Sequence, residues 1–261
     1  MKVFTQPNQV RGGVPTTGAF VLVSYPKSGR TWIRFALSQF NISIFATHAG
    51  TETNWRYIGR SQTNIAPQLR QVPLIFLYRD PIDTAVSMYY QVHKRDLRRW
   101  SKRWFRMLIP LALRRALPPM DINKFVLHPC YGVPKICKFN RTWLDYLESR
   151  KDCLVIKYES LRATPELYFQ SILDYYGINH ATGKELADIS TFDKMKKAEI
   201  SSGPSGVLKS KTPKVSDQDS LKVRKGIVGG YDCELSPEAI TACKVIMNEY
   251  KFEPLTKIPP A

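Results

Sequence analysis

The stretch that decides the fold runs from Ala19 to Trp32 and reads Ala-Phe-Val-Leu-Val-Ser-Tyr-Pro-Lys-Ser-Gly-Arg-Thr-Trp. Its first half is a short apolar run rich in β-branched and aromatic residues, which is typical of a strand buried on both faces. The run breaks at Pro26, and from Thr31 the apolar residues recur at helical spacing. The polar residues between Pro26 and Arg30 are therefore predicted to form a tight turn between a strand and a helix.

A turn of this kind is predicted to bind an anion. The backbone N–H groups of residues 28–31 would converge on one point, the helix dipole would favour negative charge there, and Lys27 would add a full positive charge. The alternative is an ordinary strand-turn-helix with a solvated lysine. The Gly-x-x-x-x-Gly-Lys-Ser/Thr loop of ATPases and GTPases is not met, because Lys27 precedes Gly29 and no earlier glycine has the right spacing.

Length and composition set the class of protein. A chain of 261 residues fits one domain with a sizeable core. The net charge of +17 predicts an anionic cofactor, acceptor, membrane surface or nucleic acid as partner. The five cysteines include no Cys-x-x-Cys pair and have no histidine at metal-ligand spacing, so we expect reduced thiols and no metal. No apolar segment has the length of a membrane span or the form of a signal peptide, which predicts a cytoplasmic location.

Three further apolar runs are predicted to be strands. Residues 41–47 end at His48, residues 72–78 deliver Arg79 to the next turn, and residues 153–158 form the last strand. Predicted helices cover 121–128, 135–149, 165–176 closed by Gly177, and 237–250 with Ser236 as N-cap. Strands that alternate with helices predict an α/β fold with a parallel sheet covered on both faces. Ligands of such sheets bind outside the carboxyl ends of the strands.

Cations occur at several of these predicted strand ends and at a glycine-rich loop. Lys27 and Arg79 follow strands, and Arg224 and Lys225 precede Gly226. One lone phosphate would not need so many positive charges. The pattern therefore predicts a ligand that carries several phosphate groups.

At these places the sequence resembles the sulfotransferases that use 3′-phosphoadenosine 5′-phosphosulfate. The segment from Tyr25 to Trp32 is similar to the family's 5′-phosphosulfate loop, usually Tyr-Pro-Lys-Ser-Gly-Thr-Thr-Trp. The segment from Arg79 to Ser87 resembles the one that grips the 3′-phosphate. The resemblance implies a P-loop-kinase-like sulfotransferase fold in a single domain, with that nucleotide as donor co-substrate and no metal.

The resemblance also implies which residues bind the donor. They are Ser28, Gly29, Arg30, Thr31, Trp32, Arg79, Ser87, Tyr158, Phe192, Arg224, Lys225 and Gly226. Arg30 departs from the family pattern, because it stands where many members have the first Thr of the loop. Trp32 and Phe192 could also be core residues, since an aromatic ring stacked on adenine and one packed in a core look alike in sequence.

Two residues are assigned catalytic roles. Lys27 would lie at the bridging oxygen and stabilise the charge that develops on the leaving phosphate. His48 would remove the acceptor's proton, because it follows a strand toward the ligand-binding edge; Glu52 is the alternative base. The segment Thr47-His48-Ala49-Gly50 resembles the Thr-His-Asp-Gly of bacterial-type members.

Leu97 to Leu111 is predicted to form a basic amphipathic helix inside an insertion of residues 96–130. It either packs on the domain or docks an anionic or amphiphilic acceptor or membrane headgroups. Residues 18–95 would form the half of the domain that binds the donor phosphates. Residues 201–231 would contain a mobile loop that ends in the Arg-Lys-Gly segment.

Two other function classes share some of these features. A nucleoside or small-molecule kinase would need a Walker-type loop and an acid for magnesium, and the loop spacing here is wrong for it. A nucleic-acid-binding protein would use the positive charge, but no known module pattern is present, so no nucleic acid is expected. The sequence leaves the acceptor open between a small molecule, a glycan and a lipid, with a hydroxyl or an amine as the accepting group.

Overall fold

The computed structural model describes residues 20–48, 65, 69–70, 72–96, 120–201, 207–208 and 226–252. These residues contain the strands β1 (Val21–Ser24), β2 (Phe45–Thr47), β3 (Leu74–Tyr78) and β4 (Cys153–Lys157). The strands form one parallel sheet in the order β2-β1-β3-β4.

Helices connect and cover the strands. They are α1 (Arg30–Ser38), α2 (Pro81–Tyr90), α3 (Ile122–Leu127), α4 (Val133–Glu148), α5 (Tyr158–Ala163), α6 (Pro165–Tyr175), α7 (Gly183–Ile189), α8 (Phe192–Ser201) and α9 (Pro237–Glu249). A π-helical segment, Gln91–Asp96, follows α2, and a 3₁₀ turn, Gly230–Cys233, precedes α9.

The sheet is buried on both faces. Val21 and Val23 point into one apolar core with residues of α2, α3, α4 and α9, whereas Leu22 points into a second core with residues of α1, α5, α6 and α7. This alternation follows from the two-residue period of a strand. The predicted α/β architecture, a parallel sheet with helices on both faces, is thereby confirmed.

The strand register brings the carboxyl ends of all four strands to one edge. Val23 pairs with Thr47, Ser24 pairs with Leu77, and Tyr78 pairs with Lys157. The loop after β1, His48 after β2, Arg79 after β3 and Tyr158 after β4 therefore start at the same edge. We call it the carboxyl edge.

Three strands are shorter than predicted, and the run expected from residue 72 is strand only over Leu74–Tyr78. The run that was expected to be strand from residue 41 starts as a turn, because Asn41 has a φ of +58° and the N–H of Ile42 donates to the carbonyl of Leu37 at 3.0 Å. Only Phe45–Thr47 pairs with β1. In β4 the strand ends at Lys157, since Tyr158 is already the first residue of α5.

The four helices predicted after residue 120 are confirmed, with ends that shift by one or two residues. The Oγ of Ser236 accepts from the N–H of Ala239 at 3.3 Å, and Gly177 has the left-handed φ of +65° expected at a helix end. Helices α5, α7 and α8 were not predicted. Of these, α7 carries a readable signal, because Thr182 and Glu185 form a capping box.

Several predictions fall on residues outside the described part. They concern the basic segment 97–111, Glu52, Arg224, Lys225 and most of the loop 201–219, of which Leu208 is described and buried in the second core. All five cysteines are free thiols, as predicted. No helix among the described residues has the length and apolar character needed to cross a membrane.

Candidate active site

The loop after β1 has the backbone of an anion-binding turn. Lys27 has a φ of +71° and Gly29 a φ of +97°, so every second residue just before α1 has a positive φ. Such alternation turns successive N–H groups toward one side. No side chain caps the start of α1, whose dipole adds positive potential there.

One detail of the predicted loop differs. The N–H of Ser28 makes a long turn bond of 3.4 Å to the carbonyl of Tyr25, so it is partly used within the loop. The N–H groups of Gly29, Arg30 and Thr31 donate to no acceptor in the described part of the chain. The cradle for an anion therefore consists mainly of these last three groups.

Tyr158 closes the other side of this loop. A Cβ atom added to Gly29 would lie 2.5 Å from Cδ2 of the Tyr158 ring, which is closer than atoms can approach. The Tyr158 ring also meets the indole of Trp32 edge-on, with centroids 6.2 Å apart. The first residue of α5 and the phosphate loop thus fit together without room for a side chain at position 29.

We predict that Gly29→Ala destabilises the protein and disrupts the loop. A left-handed backbone costs an L-residue roughly 1–2 kcal/mol, and the clash with Tyr158 adds to this. Gly177→Ala is the matched control, because Gly177 is also left-handed but has open space around it. Thermal unfolding should show the larger loss for Gly29→Ala; equal losses would mean that Tyr158 does not pack tightly on the loop.

Arg79 connects three segments of the carboxyl edge. Its Nη1 donates to the carbonyl of Lys27 and to the Oγ of Ser87, both at 3.4 Å, and its Nη2 donates to the carbonyl of Ile227 at 3.3 Å. Its guanidinium lies over the Tyr158 ring, 4.7 Å from the centroid. Arg79 and Ser87, both predicted to bind the 3′-phosphate, are therefore brought together, although Ser87 lies nearly two helical turns into α2.

Asp83 is a site residue that the sequence analysis missed. Its Oδ2 lies 3.4 Å from Nη2 of Arg79 and accepts from the N–H of Gly229 at 2.9 Å. One carboxylate thus holds both the arginine and the loop that follows Gly226. The spacing of Arg79 and Asp83, four residues apart across the start of α2, was the signal that could have found it.

The two aromatic residues predicted to pack on adenine, Phe192 and Trp32, lie in different environments. Phe192 packs on Gly226, since an added Cβ there would be 2.6 Å from its ring, and this joins α8 to the glycine-rich loop. Trp32 is almost buried in the second core, and its indole N–H donates to the Oγ of Ser190 at 2.9 Å. The guanidinium carbon of Arg162 lies 5.7 Å from the centroid of the Trp32 ring.

His48 is fixed beside the phosphate loop. Its Nδ1 lies 2.9 Å from the carbonyl of Ser24, the last residue of β1. Because a carbonyl only accepts, Nδ1 carries the proton in the neutral ring, and Nε2 is the basic nitrogen.

The electrostatics around His48 keep it neutral. Burial and the guanidinium of Arg30 lower its pKa to about 3. The charges of Arg34 and Lys27 act in the same direction. Burial and the charge of Arg34 also lower the pKa of Arg30, to about 10. The carboxyl edge is thus strongly positive, and a bound anion would relieve this repulsion.

Some buried donors at this edge have no hydrogen-bond partner among the described residues. They include the Oγ atoms of Ser24 and Ser28 and the Nε of Arg79. Buried donors in proteins are nearly always satisfied, so groups of this kind are consistent with a site that accepts an anionic ligand. The described residues contain no group of three or more His, Cys, Asp or Glu side chains that could hold a metal ion.

Comparisons with known proteins agree with this geometry. The family model described as a sulfotransferase domain matches residues 18–253. Cytosolic sulfotransferase 17 of Arabidopsis thaliana is 22% identical over an alignment of 286 residues, which covers 90% of this chain and 74% of that protein. The crystal structure of mouse sulfotransferase SULT7A1 complexed with PAP superposes with a TM-score of 0.59 at 18% identity, covering 90% of this chain and 85% of the other, a likeness of fold. Because the family model spans nearly the whole chain, this protein belongs to the sulfotransferase domain family.

Proposed function

We propose that this sulfotransferase uses 3′-phosphoadenosine 5′-phosphosulfate as donor and transfers its sulfuryl group to an acceptor hydroxyl or amine by in-line displacement. The observation that carries the proposal is the convergence of four chain segments on the carboxyl edge. Arg79 contacts the phosphate loop, Ser87, Tyr158 and the loop after Gly226, and Tyr158 also packs on the phosphate loop. The structure of mouse SULT7A1 in complex with PAP, the product nucleotide, also supports it.

The donor's two ends have separate binding groups in this proposal. The N–H groups of Gly29, Arg30 and Thr31, with the Oγ of Ser28, bind the 5′-phosphosulfate. Arg79 and Ser87 bind the 3′-phosphate. Tyr158, Trp32 and Phe192 surround the adenine, and Gly226 allows the loop that carries Arg224 and Lys225 to approach it.

The chemical step moves one sulfuryl group and one proton. The acceptor oxygen attacks sulfur as the bond between sulfur and the bridging phosphate oxygen breaks. Lys27 stabilises the negative charge that this oxygen gains. Nε2 of His48 accepts the acceptor's proton, since Nδ1 is held by the Ser24 carbonyl. In-line geometry follows because acceptor and leaving group lie on opposite sides of the sulfur.

A transfer assay tests the proposal directly. The protein is incubated with donor labelled with ³⁵S and with panels of phenols, alcohols, amines, glycans and glycolipids. We expect one sulfated product to accumulate in equal amount to 3′-phosphoadenosine 5′-phosphate. Consumption of ATP in place of the sulfate donor, or no transfer to any acceptor class, would contradict it.

Arg79→Ala should remove the protein's preference for nucleotides with a 3′-phosphate. A charge-assisted hydrogen bond contributes about 1.5 to 3 kcal/mol, so affinity for 3′-phosphoadenosine 5′-phosphate should fall by about 10- to 100-fold. Affinity for adenosine 5′-phosphate should change little. Calorimetry measures both, with Arg141→Ala as the control, since Arg141 is a partly buried arginine paired to Asp145 on α4.

Ser87→Ala checks the same contact without disturbing the Arg79–Asp83 ion pair. Ser87→Ala should also weaken the binding of 3′-phosphoadenosine 5′-phosphate and not that of adenosine 5′-phosphate. The loss of affinity should be smaller than for Arg79→Ala, because a neutral hydroxyl contributes less than a guanidinium. If either substitution weakened the two nucleotides equally, Arg79 and Ser87 would not be recognising the 3′-phosphate.

A further inference from the structure

Lys135 is a nearly buried lysine in the first turn of α4. The relative exposure of the residue is 6%, and no salt bridge among the described residues involves its ammonium. The polar group that acts on its charge is the thiol of Cys130, in the turn that leads into α4. The side chain therefore points back toward the start of the helix, as helical side chains do.

This position is unfavourable for a cation. Burial without a counter-ion disfavours the charged form, and the start of a helix carries positive potential of its own. No side chain caps α4, whose N-cap residue is Gly132. Burial lowers the pKa of Lys135 to about 8, so the amine is still mostly protonated at pH 7. A buried positive charge facing an uncapped helix start points to an anionic ligand.

The start of α4 lies at the carboxyl edge. The helix ends near the opposite edge, where the hydroxyl of Tyr146 donates to the carbonyl of Arg70 at 2.7 Å, just before β3. Toward its start, the ring of Phe139 packs edge-on against Tyr25 of the phosphate loop, with centroids 5.3 Å apart. Lys135 precedes Phe139 by one helical turn and shares its face. Lys135 therefore lies one turn nearer the carboxyl edge than Phe139, the residue of α4 that packs on Tyr25, and on the side of the first core.

We propose that Lys135 and the uncapped start of α4 bind an anionic group of the acceptor, a carboxylate, sulfate or phosphate ester, and so select acceptors with a negative charge near the hydroxyl to be sulfated. This inference rests on the proposed function, since it names the acceptor's side of the same site. It is independent of the donor contacts, which lie on other elements.

Protection from chemical labelling tests the anion site without measuring turnover. The wild-type protein, saturated with 3′-phosphoadenosine 5′-phosphate, is pulsed with an amine-acylating reagent, and modification of Lys135 is measured by peptide mass spectrometry. Sodium sulfate and 4-hydroxybenzoate should slow labelling of Lys135 several-fold, whereas methyl 4-hydroxybenzoate should not. The exposed Lys138, one turn away, is the internal control. Equal protection by the ester, or no protection by either anion, would overturn the proposal.

Lys135→Met provides a second test with a different readout. Removing a nearly buried charge that has no counter-ion among the described residues, while keeping the side-chain volume, should raise the melting temperature. The same variant should raise KM for charged acceptors by about 10- to 100-fold and leave kcat/KM for neutral acceptors unchanged. Lys135→Arg should keep the preference for charge, and Lys138→Met should change neither quantity.

The two proposals fail in different ways. If 3′-phosphoadenosine 5′-phosphate does not bind, the proposed donor chemistry is wrong whatever Lys135 does. If the nucleotide binds and sulfate is transferred, but Lys135→Met leaves the preference for charged acceptors unaltered, the donor chemistry stands and the role of Lys135 is refuted.

Discussion

Replacing Lys27 by alanine is expected to lower kcat by about 10²- to 10³-fold, with the affinity for 3′-phosphoadenosine 5′-phosphate changed much less. The reason is that a positive charge at the bridging oxygen contributes most when that oxygen becomes negative, in the transition state. We expect the substitution to leave the backbone of the loop unchanged. Alanine and lysine meet the same restriction at a φ of +71°, and the carbonyl that accepts from Arg79 is retained.

Lys151→Ala is the control for Lys27→Ala. Lys151 is exposed and precedes β4, so it lies at the opposite edge of the sheet, and its loss removes the same net charge. Steady-state kinetics and nucleotide calorimetry are measured on both variants. An unchanged kcat with only a raised KM for the donor would show that Lys27 merely binds the donor.

His48→Asn should lower turnover by about 10²- to 10⁴-fold for a poorly acidic alcohol, the usual contribution of a general base. Asparagine can still donate to the Ser24 carbonyl, so donor affinity should survive. The loss should shrink for activated phenols, because they need less help in losing a proton. His180→Asn is the matched control, since His180 is an exposed histidine that also contacts one backbone carbonyl, that of Phe40 at 3.4 Å.

Near-normal turnover in His48→Asn would contradict the assignment of the base. A collapse of turnover in Glu52→Ala under the same conditions would then transfer the role to Glu52. A loss of nucleotide affinity in His48→Asn would show a binding role for the imidazole.

The lowered pKa of His48 determines how kcat/KM should depend on pH. At a pKa of about 3 the free protein holds this histidine neutral at every pH above about 5, so kcat/KM for the donor should not fall through protonation of His48 near pH 6.5. A bound anion raises the pKa, so the low-pH limb of kcat should lie at higher pH. Burial raises the pKa of Asp80 to about 6, and an inflection from Asp80 would persist in His48→Asn.

The sheet and the phosphate loop could be predicted because their signals are local. The run from Val21 to Ser24 is apolar throughout, since both of its faces are buried, and the turn at Pro26 to Gly29 follows at once. His48 and Arg79 could be placed because they follow apolar runs, and parallel strands bring their carboxyl ends to one edge.

The remaining parts of the site depend on contacts between distant residues. Asp83 accepts a hydrogen bond from Gly229, which comes 146 residues later in the sequence, and no local pattern predicts such a pairing. Tyr158 looked like the end of a strand, whereas its ring covers Gly29 from the first turn of α5. Lys135 gave no signal in sequence, because the burial of a lysine is decided by the elements packed around it.

Calorimetric titration of the wild-type protein with 3′-phosphoadenosine 5′-phosphate and with adenosine 5′-phosphate tests the central claim most directly. The two nucleotides differ only in the group that Arg79 and Ser87 are proposed to bind. With charge-assisted contacts of about 1.5 to 3 kcal/mol each, the bisphosphate should bind at least about tenfold more tightly. Equal affinities would contradict the proposal that the carboxyl edge is a site for a 3′-phosphorylated sulfate donor.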